Sequence, residues 1–267
     1  FKDVDLNQIT PFNNKFVAHG NINGEVNFKQ NNNVYQPTSS IVIDNLNVNK
    51  TDLGTLNFEI EGDESLRKFT INSNLENKNF ESFNANGSFE IVNKETILDL
   101  KLKFEKFNIA TLNSLGGEVL SNIRGSISGN ATIEGNLKKP NINGRLFLDD
   151  AGITIPYLNV DYALSNNTII DLTDEKFLFR NNTLTDTKYG TIGKLNGSIE
   201  HNNFADWKLD LAINSKRLLA LDTQDSEDAA YYGTAFIDGI ATIKGPTNSL
   251  FIKVDAKSEK GTAVKIP

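Results

Sequence analysis

The 267-residue sequence contains no cysteine and no methionine, and it has only two histidines, one tryptophan and six prolines. Without cysteine, a disulfide framework and any metal site built on thiolates are excluded. No run of about 18 apolar residues occurs, and the opening FKDVDLNQIT has neither a basic nor an apolar stretch, so the sequence shows no membrane span and no signal peptide. The absence of Met and a first residue that is Phe1 favour a segment of a longer protein.

Positive charge is also scarce, with 27 Lys and Arg against 34 Asp and Glu and a net charge of −7. Contacts to nucleic-acid phosphates require clustered Lys and Arg, and the longest basic runs here are pairs such as Lys138-Lys139. Nucleic acid is therefore excluded as a partner. The 38% hydrophobic content is too high for a disordered chain, so the sequence predicts a folded one.

What the sequence does have is alternation of apolar and polar residues, which is the period of a β-strand with one dry face. Clear examples are Leu56, Phe58, Ile60; Leu98, Leu100, Leu102, Phe104; Leu158, Val160, Tyr162, Leu164; and Leu209, Leu211, Ile213. Such runs recur every ten to fourteen residues or so, which predicts about twenty strands. Helical spacing is confined to short windows at 110–123 and 216–221. Four Asn-Gly pairs, beginning at Asn23, Asn86, Asn143 and Asn196, fit either tight hairpin turns or bulges.

The sequence also repeats itself. Residues 129–156 can be laid over 239–267, so that Gly129 meets Gly239 and Ile133 meets Ile243, with a period of about 110 residues. No linker composition separates the copies. We expect consecutive sheet modules in one continuous structure, with residues 1–97 as a first segment and 98–267 as a repeated second one.

The stretch GSISGNATIEGNLKKPNINGRLFL (125–148) combines ordered glycines, alternating aliphatic residues and a proline. It is followed by an Ile-x-Ile-Pro element at 153–156 and the aliphatic strand LNVDYAL (158–164). This ordered combination resembles the TamB family and its AsmA-like relatives. The resemblance is strongest over 98–267 and weaker over 1–97, where only the alternating strand pattern is similar. It implies that both stretches are β-groove segments, continuous with each other.

The resemblance implies a protein that spans the periplasm of a Gram-negative envelope and is anchored in the inner membrane by an N-terminal helix outside this sequence. It also implies an elongated sheet curled into a trough with a hydrophobic concave face. The implied role is to carry phospholipid toward the outer membrane, to support outer-membrane protein assembly, or both. The implied partners are phospholipid acyl chains and an outer-membrane barrel of the Omp85 type.

The residues lead to a compatible fold by another route. Every strand has one dry face that must be covered, yet the helical windows are too short to cover twenty or so strands. A repeat that adds modules favours open-ended growth over a closed barrel of fixed strand number. We therefore expect an all-β, mostly antiparallel, trough-like sheet with few short helices, whose apolar interior suits acyl chains.

The predicted lipid-groove residues are the inward members of the alternating runs. They are Ala131, Ile133, Leu146, Leu148, Ile153, Ile155, Leu158, Val160, Trp207, Leu209, Leu211, Ile213, Ala241, Ile243, Ile252, Val254 and Ile266. Their neighbours are expected on the outer face: Thr132, Glu134, Asp210, Thr242, Lys244 and Lys253.

Other interpretations fit the same residues. An ordinary dry core between two sheets demands the same side chains as a groove, and Trp207 fits core packing as well as a groove wall or an interfacial anchor. At the level of function, the rival is a rigid adhesin or scaffold stalk that binds glycan or protein. Assembly assistance by strand addition at an exposed edge is a third possibility.

No constellation predicts catalysis, a metal or a cofactor. His19 and His201 have no second ligand nearby in the sequence, and each is expected to be an exposed strand residue. Asp149-Asp150 and the carboxylates at 171–175 are expected to be solvated turn residues. The sequence therefore predicts a non-enzymatic protein.

Overall fold

The structure is a computed structural model that describes residues 1–8, 17–31, 34–116, 119–202, 205–225 and 231–265. These residues form one antiparallel sheet of 17 strands, and the helical elements among them are three short 3₁₀ helices. The predicted all-β fold with few short helices is confirmed. The strands are β1 (Val4–Asp5), β2 (Ala18–Asn31), β3 (Val34–Val48), β4 (Thr51–Gly62), β5 (Lys68–Asn77), β6 (Phe80–Val92), β7 (Glu95–Asn108), β8 (Ser121–Asn136), β9 (Asn141–Ile155), β10 (Val160–Leu164), β11 (Thr168–Thr173), β12 (Lys176–Asp186), β13 (Ile192–Asn202), β14 (Ala205–Thr223), β15 (Tyr232–Pro246), β16 (Phe251–Ser258) and β17 (Ala263–Lys265). The helices are η1 (Leu6–Gln8), η2 (Ile109–Gly116) and η3 (Pro156–Leu158).

The chain forms two compact units. Unit 1 comprises Phe1–Ser114, Ile127–Leu146 and Leu172–Asp174, and unit 2 comprises Leu115–Ser126, Phe147–Asp171 and Glu175–Pro267. The boundary at residues 97 and 98, drawn from the sequence, stays a prediction.

Strands that follow one another in the sequence are paired in the sheet. In unit 1, β2 to β7 form successive antiparallel pairs, and in unit 2 the same holds from β12 to β16. Two-residue turns such as Asn49-Lys50 join some of them, with φ of 51° and 69° at the two positions. Two consecutive positive φ angles define the type I′ turn, whose twist matches that of the flanking strands. The four Asn-Gly pairs lie inside β2, β6, β9 and β13, so none of them is a hairpin turn.

Glycine at one of these positions permits a close approach between strands. Gly197 in β13 has φ of 121°, and a Cβ placed there would lie 2.0 Å from the carbonyl oxygen of Asp210 in β14. Gly129 in β8 is similar, with φ of 134° and a hypothetical Cβ 2.3 Å from the Arg145 carbonyl oxygen. Both glycines occupy positions where the backbone of the neighbouring strand leaves no room for a side chain.

Unit 1 has a hydrophobic core at one end of its strands, which we call the closed end. It is formed by Leu6, Ala18, Ile22, Leu46, Val48, Leu53 and Leu75, with Phe83 and Phe107 packed against it. The turn between β3 and β4 also contacts η2, because the Asn49 side-chain nitrogen donates to the Thr111 carbonyl oxygen at 2.7 Å and to Ser114 Oγ at 2.6 Å. Two well-separated parts of the chain are thereby joined beside the core.

Unit 2 has its own core, built from Val160, Tyr162, Leu184, Leu218, Leu219 and Phe236. Leu218 and Leu219 are adjacent in sequence, yet both are fully buried. Register shifts in the pairing of β14 with β15, between Ser215 and Leu218 and between Leu219 and Leu221, interrupt the regular alternation of the strand. Together they place consecutive leucines in the core.

Three expectations about the elements need correction. The window at 216–221 has helical spacing in the sequence but lies within β14. Register shifts there break the strict alternation of the strand, and the resulting pattern of apolar residues resembles that of a helix. In the described part of the window at 110–123, η2 ends at Gly116 and β8 begins at Ser121. The described residues contain 17 strands rather than the twenty or so predicted, since several strands are longer than the assumed spacing and β14 alone has 19 residues.

Candidate functional site

The candidate site is the apolar face of the sheet, which the pairing registers define directly. In unit 1 the row Ile43, Leu56, Leu75 and Phe83 crosses β3 to β6 on one face. Parallel rows on that face contain Ile41 with Phe58 and Ile60 with Ile71, while β7 contributes Leu98, Leu100, Leu102 and Phe104. Alternation along each strand therefore gives a largely apolar surface across β3 to β7 of unit 1.

Exposure along this face changes from one end of the strands to the other. At the closed end Leu75 has 3% of its surface exposed, whereas Val26 and Phe28 at the opposite end have 48% and 68%. Between the two ends, the small residues Ser73 and Ala85 of this face are buried. The large apolar residues there are half-buried: Ile41, Ile43, Leu56, Phe58, Ile60, Ile71, Leu98, Leu100, Leu102 and Phe104. A second layer packed on these side chains would bury them as fully as Leu75, so solvent reaches the middle of this face.

Aromatic side chains line the more exposed end of the face. Phe69 on β5 stacks on Phe89 on β6, with ring centroids 4.7 Å apart and an interplanar angle of 10°. The two residues are directly opposite in the register and belong to the same face as Ile71. Their stacking adds about 0.5–1.5 kcal/mol to simple burial and gives this end a rigid apolar wall.

Unit 2 presents two comparable rows. Leu195, Ile213, Ala241 and Val254 form one row across β13 to β16. Gly197, Leu211, Ile243 and Ile252 form the next. The register thus brings together on one face six of the residues predicted from the sequence for the groove: Leu211, Ile213, Ala241, Ile243, Ile252 and Val254.

The predicted groove residues differ in their exposure. Five are buried: Ala131, Leu146, Leu148, Val160 and Leu209. Nine are half-buried: Ile133, Ile153, Ile155, Leu158, Trp207, Leu211, Ile213, Ala241 and Ile243. Ile252 and Val254 are exposed, and Ile266 lies outside the described residues. The contact of these side chains with lipid stays a prediction.

The residues expected on the outer face do face away from these rows where the register is described. Asp210 lies opposite Lys244, and their side chains form an ion pair of 2.9 Å. Thr242 lies opposite Lys253 on the neighbouring strand. Both pairs alternate with the apolar rows along β14, β15 and β16, so one face of this region is apolar and the other is polar and charged.

An aromatic cluster lies toward the end of the unit 2 strands that is distant from its core. The Trp207 ring lies 5.9 Å from Phe177 and 5.2 Å from His201, measured between centroids. His201, expected to be exposed, is buried. Its burial lowers the pKa of the imidazole, and the negative charge of Glu175 opposes that shift only in part. Trp207 is half-buried and packs within this cluster.

The sequence predicts that residues 1–97 form a groove segment, but it identifies none of their side chains as groove residues. The signal is present in the sequence, because Phe58 and Leu100 both belong to period-two runs that predict strands. The sequence does not identify them as groove residues, because in this region the resemblance to the family is limited to the alternating strand pattern. The pairing registers place them on a face of the same kind as that of unit 2.

The carboxylates expected to be turn residues are partly strand residues, since Asp149 and Asp150 lie within β9 and Asp171 lies within β11. Asp149 accepts a hydrogen bond from the Asn167 backbone N–H at 3.0 Å, and Asp171 forms an ion pair with Arg180. Among the described residues, no group of three His, Asp or Glu side chains could hold a metal ion. In the same part of the chain, no helix has the length and apolar character needed to cross a membrane.

Two family descriptions match this chain. The one described as TamB, N-terminal domain, matches residues 1–148, and the one described as TamB C-terminal domain matches residues 180–267. The first match includes residues 1–97, where the sequence itself showed little beyond strand style. No match was found among curated proteins or among solved structures.

Proposed function

Since the chain belongs to the TamB family, we propose that its apolar face carries phospholipid acyl chains between the inner and outer membranes of a cell envelope. The observation that carries this proposal is the half-buried middle of the apolar face in unit 1, where residues such as Phe58 and Leu100 have strand neighbours beside them and solvent above. A protein with a sealed core would bury these side chains. An acyl chain lying on the face would bury them instead.

The energetics of such a guest are favourable. Each CH₂ group removed from water contributes about 0.8 kcal/mol, so a sixteen-carbon chain that is fully covered gains roughly 12 kcal/mol. On an open face the acyl chain obtains only part of this free energy, because one of its sides stays in contact with water. A guest held in this way is bound well enough to leave water and loosely enough to move along similar apolar positions.

The proposed transfer is passive, without a catalytic residue or a cofactor. Head groups would stay in water along the exposed end of the face, near Val26 and Phe28 in unit 1. The full-length protein is proposed to be held in the inner membrane by a helix N-terminal to this segment and to cross the periplasm. An outer-membrane barrel of the Omp85 type is its proposed partner, reached through regions outside this segment.

Support for outer-membrane protein assembly is a second candidate function. It is favoured by β16, all eight residues of which are exposed, with Ile252 and Val254 on the apolar side. An exposed strand with one apolar side can pair with an extended segment of another chain by strand addition. The stalk alternative lacks such support, since a rigid stalk has no need of a solvent-exposed apolar surface.

The test is site-specific photo-crosslinking in cells with a neighbouring control position. A photoreactive side chain at Leu100, on the apolar face of β7, is expected to capture phospholipid, which mass spectrometry of the purified adduct would identify. The same group at Lys101, one residue along and on the opposite face, is expected to capture little. Equal capture at both positions, or none at Leu100 in a folded protein, would refute the proposal.

Native mass spectrometry of the purified segment separates the candidates further. Co-purified phospholipid supports the lipid-carrying function. A lipid-free chain that crosslinks to unfolded outer-membrane protein through β16 supports assembly. A lipid-free chain that binds glycan or a folded protein instead supports the stalk.

A further inference from the structure

The edge of β16 that points away from β15, which we call the outer edge, is a contact surface that lipid transport does not use. The registers described for β16 all lead to β15, from Phe251 to Ser258. All eight residues of β16 are exposed, and Ile252 and Val254 have 50% and 55% of their surface in contact with solvent. A strand paired on one side presents the N–H and C=O groups of its other side to a further strand.

The charges of β16 lie on the polar face of unit 2 and alternate in sign along the strand. They are Lys253, Asp255 and Lys257. On β15, Asp238 lies directly opposite Lys257, so that cation has an anionic neighbour within its own chain. By contrast, Thr242 lies opposite Lys253 and Ile240 lies opposite Asp255. The charges at 253 and 255 therefore have no charged residue of β15 directly across from them.

A second copy of β16, placed antiparallel along the outer edge, complements these two charges. When Val254 lies opposite the Val254 of the other copy, Lys253 of each copy lies opposite Asp255 of the other. The same register places Ile252 opposite Ala256 twice, on the apolar side. Each contact occurs in duplicate because a twofold axis relates the copies, as an isologous interface requires. The pairing thus joins opposite charges on one face and apolar side chains on the other.

Other registers of the same strand are less favourable. Centring the pair on Lys253 or on Asp255 would place two like charges directly opposite each other. A shift by a single residue would put the apolar side of one copy beside the charged side of the other. Centring on Ala256 would keep only residues 254–258 of β16 in contact, whereas centring on Val254 keeps residues 251–257. The sequence of β16 therefore favours one register.

The composition of β16 differs from that of an edge strand that resists association. Such strands are short, contain proline, or carry charges that repel a second copy. β16 has eight residues and no proline, and its two unmatched charges are of opposite sign. On its apolar side, exposed Ile252 and Val254 would lose contact with water when a second copy pairs, which favours association.

We propose that two copies of this chain associate through the outer edge of β16, antiparallel and centred on Val254. The contact goes beyond the proposed lipid function, because it uses the edge of the sheet rather than its apolar face. It joins the apolar side of β16 in one copy to the same side in the other. An outer-membrane segment that pairs with β16 would have to displace the second copy first.

The first test uses the absence of cysteine from the chain, which lets a single introduced thiol report the contact. Val254→Cys is expected to form a disulfide between two copies under mild oxidation, since directly opposite residues have Cα atoms about 4.5–5.5 Å apart. Ile252→Cys is the matched control on the same side of the strand. Its counterpart would lie four residues along, roughly 13 Å away and beyond the reach of a disulfide. Non-reducing electrophoresis would measure the covalent dimer.

The second test exchanges the charges and follows the dimer by sedimentation equilibrium. Lys253→Asp and Asp255→Lys are each expected to dimerise about tenfold more weakly, because each turns two attractive contacts into repulsive ones. The variant with both changes is expected to regain the dimer, and so is an equal mixture of the two single variants, because opposite charges then face each other again. Circular dichroism would verify that every variant is folded.

Three results would overturn the proposal. They are an unaltered chain that stays monomeric at all concentrations, a covalent dimer that forms as readily through Ile252→Cys, and single charge variants that dimerise as the unaltered chain does. Lipid capture at Leu100 on β7 does not depend on this contact, so the two proposals are judged separately.

Discussion

The hydroxyl group of Tyr162 on β10 donates a hydrogen bond of 2.6 Å to the carbonyl oxygen of Leu219 on β14. In the ladder of unit 2, β10 pairs with β12, β12 with β13 and β13 with β14, so the bond joins strands three places apart. The sheet of unit 2 must therefore coil strongly enough for these strands to meet. Burial, with a contribution from the negative charge of Asp186, raises the pKa of Tyr162 above its ordinary value, which keeps the hydroxyl group available as a donor.

We expect Tyr162→Phe to lower the free energy of unfolding by about 1–2 kcal/mol, because it removes the donor and leaves a buried carbonyl oxygen without that partner. Urea denaturation followed by far-UV circular dichroism would measure the change. Tyr157→Phe serves as the control. Tyr157 is 70% exposed, and the loss of its bond to the Tyr231 hydroxyl group is expected to cost less than about 0.5 kcal/mol. Equal effects of the two variants would contradict the role given to the Tyr162 bond.

Gly197→Ala is expected to destabilise the protein by about 2 kcal/mol or more, since the new methyl group would collide with the Asp210 carbonyl oxygen and the backbone would stay at positive φ. Gly190→Ala is the matched control. Gly190 also has positive φ, at 69°, but no atom lies within 4 Å of the added methyl group. Its cost is expected to be roughly 1 kcal/mol, from the backbone conformation alone. Thermal unfolding of both variants would check the difference, and a larger loss in Gly190→Ala would refute the steric argument.

Leu211→Arg is expected to reduce co-purified phospholipid several-fold while leaving the strands paired. Leu211 is half-buried between Gly197 and Ile243 on the apolar face, so a guanidinium group there places charge in the path of an acyl chain. The control is Ala212→Arg, one residue along and facing the opposite side, opposite Thr242. Quantitative lipid mass spectrometry would measure both, and unchanged lipid in a folded Leu211→Arg protein would contradict the groove.

Stability is expected to fall as the pH is lowered below the ordinary His pKa of 6.5, because of His201. Burial lowers the pKa of the folded-state imidazole, so between the folded and unfolded pKa values the unfolded chain binds more protons. The stabilisation is therefore present above the unfolded value and is lost as pH falls through the folded one. Urea midpoints at about pH 8 and about pH 5 would reveal the loss. His201→Gln should flatten this dependence, and an unchanged slope would assign it to carboxylates instead.

The fold could be predicted from the sequence because its strands alternate so regularly. The runs Leu98 to Phe104 and Leu209 to Ile213 contain the information that fixes which face is dry, and the registers follow it. Prediction failed where the backbone departs from regular pairing. At 216–221, register shifts allow Leu218 and Leu219 to be buried together, and a rule based on strict alternation cannot represent them.

The candidate site was only partly predictable, for two physical reasons. Alternation identifies the dry face but not how much of it another part of the protein covers, since Leu75 and Leu100 look alike in the sequence and differ in exposure. The coiling that buries His201 and joins Tyr162 to Leu219 also depends on residues far apart in the chain.

The pairing of each strand with its neighbour in the sequence has a consequence for how the protein is made. From β2 to β7 and again from β12 to β16, each strand pairs with the strand that precedes it in the sequence. Within these stretches a strand can therefore pair before the later part of the chain is present. Contacts of this local kind keep the entropic cost of each loop closure small. A chain threaded through a translocation pore with one terminus leading can build these stretches hairpin by hairpin, in the order of emergence.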